Sequence, residues 1–220
     1  MRAARHVFFD LDGTLTDSCT GIIRCVNHAL EEIGCAAEPE DRLRSMIGQP
    51  LARIFGAVMT EAGDELIDRA IAAYRVRFDD VGIFENAVYP GIQDVLHGLC
   101  GDGCRLQIVT AKPAVTASRV LAHFGIGGHF DAVHGPALAD RGCDKAALVR
   151  RALDHARADP GEAVMIGDRV DDMLAARAHG VRAIGAGWGY GSRAELVAAG
   201  AVHVAADVED LLAFVRHAKQ

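Results

Sequence analysis

No apolar run in this 220-residue chain approaches the length of a membrane-crossing helix, so membrane insertion is not expected. Internal repeats and low-complexity tracts are absent, and the ten histidines include no His-x-x-x-His pair. Cys100 and Cys104 flank Gly-Asp-Gly at a spacing that fits no zinc pair. With no signal segment, the six cysteines read as reduced thiols of a cytoplasmic protein. Basic residues are outnumbered, 23 to 30, leaving a net charge of −7 that argues against binding a nucleic-acid polymer. Aromatics make up 5%, and lysine occurs only as Lys112, Lys145 and Lys219. Half the residues are apolar, enough to fill one core domain with a modest insert.

What is present is concentrated at the ends of strand-like runs. Val7 to Phe9 reads as a buried strand, and it stops at Asp10-Leu11-Asp12-Gly13-Thr14. If the chain stays extended, Asp10 and Asp12 point into one volume, where their charges need a cation or a shared proton. Gly13 permits a sharp turn, with bare N–H groups expected to face an anion. An ordinary Asp-Gly turn competes with this reading. An EF-hand loop does not, because its sixth and twelfth positions hold Leu15 and Gly21 rather than Gly and Glu.

The pattern recurs. Arg105–Val109 is a strand-like run ending in Thr110-Ala111-Lys112-Pro113, and Ala163–Ile166 is another ending in Gly167-Asp168-Arg169-Val170-Asp171-Asp172. Amphipathic helices follow at 114–124 and 173–179. Strand–helix alternation predicts a parallel sheet with crossover helices, which binds ligands at the strands' carboxyl ends. Lys145 opens a helix after Asp144, and its cation suits a phosphoryl oxygen or clustered carboxylates, though in isolation it reads better as a solvated helix start.

Taken in order, these segments resemble the haloacid dehalogenase superfamily, in particular its phosphatases. Asp10 to Thr14 matches the first motif, Thr110 the second, Lys145 the third, and Gly167-Asp168 with Asp172 the fourth. The resemblance implies a doubly wound, Rossmann-like α/β core with an inserted helical cap. It also implies an aspartyl-phosphate on Asp10, and Asp12 as general acid and base. Thr110 would bind the phosphoryl group, and Lys145 would offset its charge. Magnesium would be held at Asp10, Asp12 (through its carbonyl) and Asp168, with Asp172 orienting Lys145 or a metal-bound water. Gly13, Thr14 and Ala111 are the expected phosphate contacts. A monomer or homodimer acting on a small phosphorylated metabolite is implied, with 2-phosphoglycolate or a 5′-nucleotide foremost. A phosphomutase shares every catalytic residue. A dehalogenase would need neither Asp12 nor Asp168, and a non-enzymatic phospho-acceptor domain is usually smaller and lacks a cap.

Between Thr16 and Pro90 the strand pattern gives way to helical spacing, beginning with Ile22, Ile23, Val26, Ala29, Leu30 and Ile33. Residues 17–86 are expected to form the cap, and residues 1–16 and 87–220 the core. Thr16–Ser18 and Glu85–Gly91 would be the hinges. Arg24, Arg53, Arg75 and Arg77 are the cap's candidate substrate cations, with Arg24 favoured for its place near the hinge. The Gly185–Gly191 stretch lacks the glycine at 190 that a dinucleotide fingerprint needs, and is expected instead to form a loop beside the site.

Overall fold

The computed structural model describes residues 5–217. Strand β1 (His6–Phe9) is followed by a two-residue strand, β2 (Thr16–Asp17). The chain is then helical: α1 (Cys19–Glu32), α2 (Glu40–Arg44), α3 (Leu51–Val58), α4 (Asp64–Arg77) and a π-helical turn at Phe78–Gly82. Strand β3 (Ala87–Val88) returns antiparallel to β2, so the helical insert leaves and rejoins through one short ribbon. Strands and helices then alternate. They are α5 (Ile92–Gly101), β4 (Arg105–Val109), α6 (Ala114–His123), β5 (Phe130–His134), α7 (Lys145–Ala156) and β6 (Ala163–Gly167), then α8 (Val170–Ala178), β7 (Arg182–Ala186), α9 (Arg193–Ala198), β8 (His203–Ala205) and α10 (Val208–His217).

Six strands form one parallel sheet in the order β5-β4-β1-β6-β7-β8. Its central strands read as continuous apolar runs because helices cover both faces. Val7 and Phe9 join the core that also contains Val95, Leu96 and Leu211, whereas Phe8 packs with Leu148, Met165 and Met173 of the opposite core. That is the two-residue alternation of an extended chain. The expected α/β class with a helical insert is the one observed.

Topology places the functional strand ends. The chain runs from β1 to β4 and β5 on one side, then to β6, β7 and β8 on the other, so its direction switches at β1. Such a switch opens a crevice at the carboxyl edge of the sheet. Phe9 lies opposite both Ile108 and Ile166, and Asp10, Thr110 and Asp168 therefore emerge together at that edge.

In the insert, Ile22, Ile23, Val26, Ala29 and Leu30 form the buried face of α1, which packs along α4. Helix α4 ends at Arg77 and continues into the π-helical turn. Among the described residues no helix is long and apolar enough to cross a membrane.

Candidate active site

Asp10 is buried at the end of β1, and Lys145 reaches it from the first turn of α7, Nζ to Oδ2 3.0 Å. Asp144 caps that helix by accepting the Ala147 N–H at 3.0 Å, which fixes the turn carrying Lys145. The same ammonium pairs with Asp172 of α8. Asp172 also accepts the Arg169 N–H at 2.9 Å, so the start of α8 holds its carboxylate in place. Asp168, at the end of β6, accepts from the Thr14 hydroxyl (3.2 Å) and the Tyr190 N–H (2.8 Å). Asp171, next to Asp172 in the chain, is exposed. Lys145 is buried, not the solvated helix start it suggested in isolation.

Asp10, Asp168 and Asp172 each bring one carboxylate oxygen within 4.8 Å of the others, and all three are buried. Burial first, then Asp10 and Asp172, pushes the Asp168 carboxyl up to about 8. Burial also raises Asp172, against the pull of Lys145. For Lys145 burial acts downward, but Asp10 and Asp172 outweigh it and hold the ammonium well above the usual lysine range. One ammonium among three buried carboxylates leaves negative charge uncompensated. A hard divalent ion with oxygen ligands, such as magnesium, fits that deficit and that donor set.

Two glycines make the packing possible. Gly13 has φ +85°, and a Cβ there would fall 2.3 Å from Asp168 Oδ2. A Cβ on Gly167 would fall 2.2 Å from Asp172 Cγ. The expectation of bare amides at this turn is corrected for two of them: the Gly13 N–H donates to the Thr16 carbonyl (2.8 Å) and the Thr14 N–H to the Leu11 carbonyl (3.3 Å). Thr14 and Gly13 thus shape the seat of Asp168.

Asp12 does not join the three-carboxylate group. The strand ends at Phe9, so the alternation that would align Asp12 with Asp10 no longer applies. Its carboxylate instead pairs with Lys112, Nζ to Oδ1 3.0 Å and to Oδ2 2.7 Å, in a pair with side chains only 7% and 10% exposed. Lys112 lies 4.8 Å from the centroid of the Phe78 ring, in the insert's π-helical turn. The sequence reading left Lys112 without a role, although the scarcity of lysine could have singled it out: it is one of three, two residues beyond Thr110. Thr110 is buried at the end of β4, its hydroxyl accepting the Lys112 N–H at 3.2 Å.

A cavity of about 260 Å³ opens beside Asp12, Ala111 and Lys112, between the insert and the core. Ile22, Ile54, Ile71, Tyr74 and Phe78 give it apolar walls. Arg75 lines it too, with its Nη2 donating to the Leu138 carbonyl at 2.5 Å and its buried Nε without a partner among the described residues. Arg24 does not reach it: its side chain is 61% exposed and its guanidinium is tied to Glu85 at 2.7 Å. Arg77 holds the same carboxylate at 2.8 Å, so both arginines brace the returning hinge.

Gly185 and Ala186 end β7, and the Gly187–Gly191 loop after them flanks the site. Trp188 donates to the Thr14 carbonyl (3.1 Å), and the Tyr190 hydroxyl donates to Asp17 (3.0 Å) while accepting the Ser18 N–H (3.0 Å).

Residues 7–186 match the family model described as haloacid dehalogenase-like hydrolase. A 5′-nucleotidase of Pseudomonas aeruginosa is 40% identical, over 94% of this chain and 93% of that protein. The tyrosine-protein kinase PtkA of Mycobacterium tuberculosis is 38% identical over 87% of this chain, which spans 64% of that longer protein. A phosphoglycolate phosphatase of Rhodospirillum rubrum is 34% identical, over 94% of this chain and 89% of that protein. The crystal structure of a predicted phosphatase from Clostridium acetobutylicum superposes with a TM-score of 0.91 at 34% identity, covering 98% of this chain and 99% of that one. The chain belongs to the haloacid dehalogenase-like hydrolases, and within them it is a phosphatase.

Proposed function

We propose that this protein is a magnesium-dependent phosphomonoester hydrolase that forms an aspartyl-phosphate on Asp10, with a nucleoside 5′-monophosphate as substrate. The observation that carries the reading is the division of labour between two carboxylates. Asp10 is buried with Lys145 and two further carboxylates, while Asp12 sits apart, lining the apolar cavity.

In this scheme an Asp10 oxygen attacks phosphorus and displaces the leaving oxygen, splitting hydrolysis into two displacements. Asp12 gives its proton to the leaving oxygen, then takes one from the water that cleaves the acyl phosphate. Lys145 offsets the phosphoryl charge, and the Thr110 hydroxyl hydrogen-bonds a phosphoryl oxygen. Asp10, Asp168 and the Asp12 carbonyl would hold magnesium, with Asp172 steadying Lys145 beside them. Bound there, the ion supplies charge neutralisation and orientation for the phosphoryl oxygens.

Residues 17–86 act as a cap over this site, and the leaving group lies in the cavity beneath them. Apolar walls with the stacked Tyr74 and Phe78 suit a nucleoside better than a glycolate. The second reading, 2-phosphoglycolate, draws on Lys112 and Arg75, two cations that a carboxylate would find in the same cavity.

The test is phosphate release from 5′-nucleotides, 2-phosphoglycolate and sugar phosphates, with magnesium and after exhaustive chelation. Chelation should abolish turnover and magnesium restore it; full activity without divalent ions would sink the mechanism. Bisphosphate products from a sugar phosphate would turn the reading toward a mutase. Arg75→Ala should lower kcat/KM for the preferred substrate by about 1–3 kcal/mol while sparing a minimal ester, and Arg24→Ala should leave both unchanged.

A further inference from the structure

Lys112 has no part in the hydrolytic steps above, yet its pair with Asp12 is the most buried ion pair at the boundary of insert and core among the described residues. Its geometry is specific. Nζ contacts both oxygens of Asp12, from a core loop just after Thr110. The same ammonium faces the ring of Phe78, which belongs to the insert. That ring is itself fixed, stacked on Tyr74 at 5.6 Å and 11°. A cation held between a carboxylate and an aromatic face keeps both contacts only while insert and core stay together.

We infer that Lys112 is a positioning residue that makes Asp12 ready for proton transfer only when the helical insert is closed. This rests on the proposed role of Asp12 as general acid. During transfer the Asp12 O–H bond breaks, the leaving oxygen takes the proton, and the P–O bonding electrons go to that oxygen. One Asp12 oxygen must face the leaving oxygen for this to happen. Lys112 can keep the other as its acceptor, which prevents the carboxyl from turning away. When the insert swings off, Lys112 loses the Phe78 face and the pair is opened to water, which screens it and frees Asp12 to rotate.

The experiment compares p-nitrophenyl phosphate with phenyl phosphate, two esters of similar shape whose leaving groups differ in their need for a proton. In the magnesium-loaded protein, Lys112→Met should lower kcat/KM, which reports the transfer to Asp10 and not the later hydrolysis common to both esters, by about 10- to 100-fold for phenyl phosphate, a fraction of what a general acid contributes. Its effect on p-nitrophenyl phosphate should stay within about threefold. Lys112→Arg should restore most of the loss. Phe78→Leu, which keeps apolar packing but removes the ring face, should show the same bias in weaker form. In an Asp12→Asn background, Lys112→Met should change nothing further on phenyl phosphate.

Equal losses on both esters would overturn the inference, as would a leaving-group bias that persists without Asp12. An unbiased Phe78→Leu would overturn its link to the insert. Wild-type protein that hydrolyses neither ester with magnesium would refute the proposed function and this inference together. Normal wild-type turnover with an unbiased Lys112→Met refutes the inference alone.

Discussion

Asp10 and Asp12 stand two positions apart, yet their surroundings push them toward different work. Asp10 has a buried ammonium at 3.0 Å and two further carboxylates close by, which suits a nucleophile that must receive a phosphoryl group without a proton on it. Asp12 faces the cavity where a leaving group fits, which suits an acid. Asp10→Asn should therefore abolish both turnover and covalent labelling by phosphate. Asp12→Asn should slow esters with poor leaving groups by about 10²- to 10⁴-fold while leaving activated aryl esters measurably hydrolysed. A plot of rate against leaving-group acidity checks this, and an unchanged slope in Asp12→Asn would remove Asp12 as the acid. The residues of this core were legible because each closes a short local pattern: Asp10 and Asp12 after a strand, Asp168 and Asp172 around a helix start, Lys145 at another. Lys112 was given no role, Tyr190 stood only within a loop expected beside the site, and Arg75 only as one of four candidate cap cations. Their partners are supplied by tertiary approach, Lys112 to Asp12 across 100 residues and Tyr190 to Ser18 across 172.

Among elements, the ribbon of β2 and β3 does the most with the least chain. Two residues on each side join the helical insert to the core, too short a run to stand out as periodicity. Strands β5 and β8 escaped the sequence reading for a related reason. They lie at the sheet's edges, and β5 is mostly half-buried, so neither shows the unbroken apolar run of the centre. Tyr190 ties this ribbon to the site, its hydroxyl on Asp17 and Ser18 and its backbone N–H on Asp168. Tyr190→Phe deletes the hydroxyl's bonds and keeps the backbone one. It should cost about 1–2 kcal/mol, read as a lower Tm and a raised KM, with magnesium affinity unchanged. A fall in magnesium affinity would move Tyr190 from the hinge to the seat of Asp168. Elsewhere the insert meets the core through exposed pairs, Arg119 with Asp79 and Arg141 with Asp64 and Asp68 (each 3.0 Å). Exposed pairs are worth about 0–1 kcal/mol and are screened by salt, so they add little to the contact between insert and core.

For the whole molecule, the uncompensated charge at the end of the sheet is expected to make stability depend on pH and, with magnesium bound there as proposed, on the ion as well. Asp168 titrates near 8 in the folded protein against an ordinary value of 3.8, chiefly because it is buried. The metal-free folded state thus holds a proton on Asp168 that the unfolded chain releases between about pH 4 and 8. The group's contribution to stability falls as pH rises through that window. His134 works the other way: burial, then Arg151 and His155, lowers it from 6.5 to about 4, so its contribution rises with pH and is complete above 6.5. From pH 6.5 to 8.5 Asp168 is left as the larger influence of the two, and metal-free protein should lose Tm across that range. A divalent ion competes with the Asp168 proton, so it must displace one at pH 6.5 and none at 8.5. Added magnesium should accordingly raise Tm more at pH 8.5 than at pH 6.5, and Asp168→Asn should abolish both the pH slope and the magnesium shift. Thermal unfolding at the two pH values, with and without the ion, makes the measurement. A magnesium shift of equal size at both pH values would mean that the ion binds without engaging Asp168.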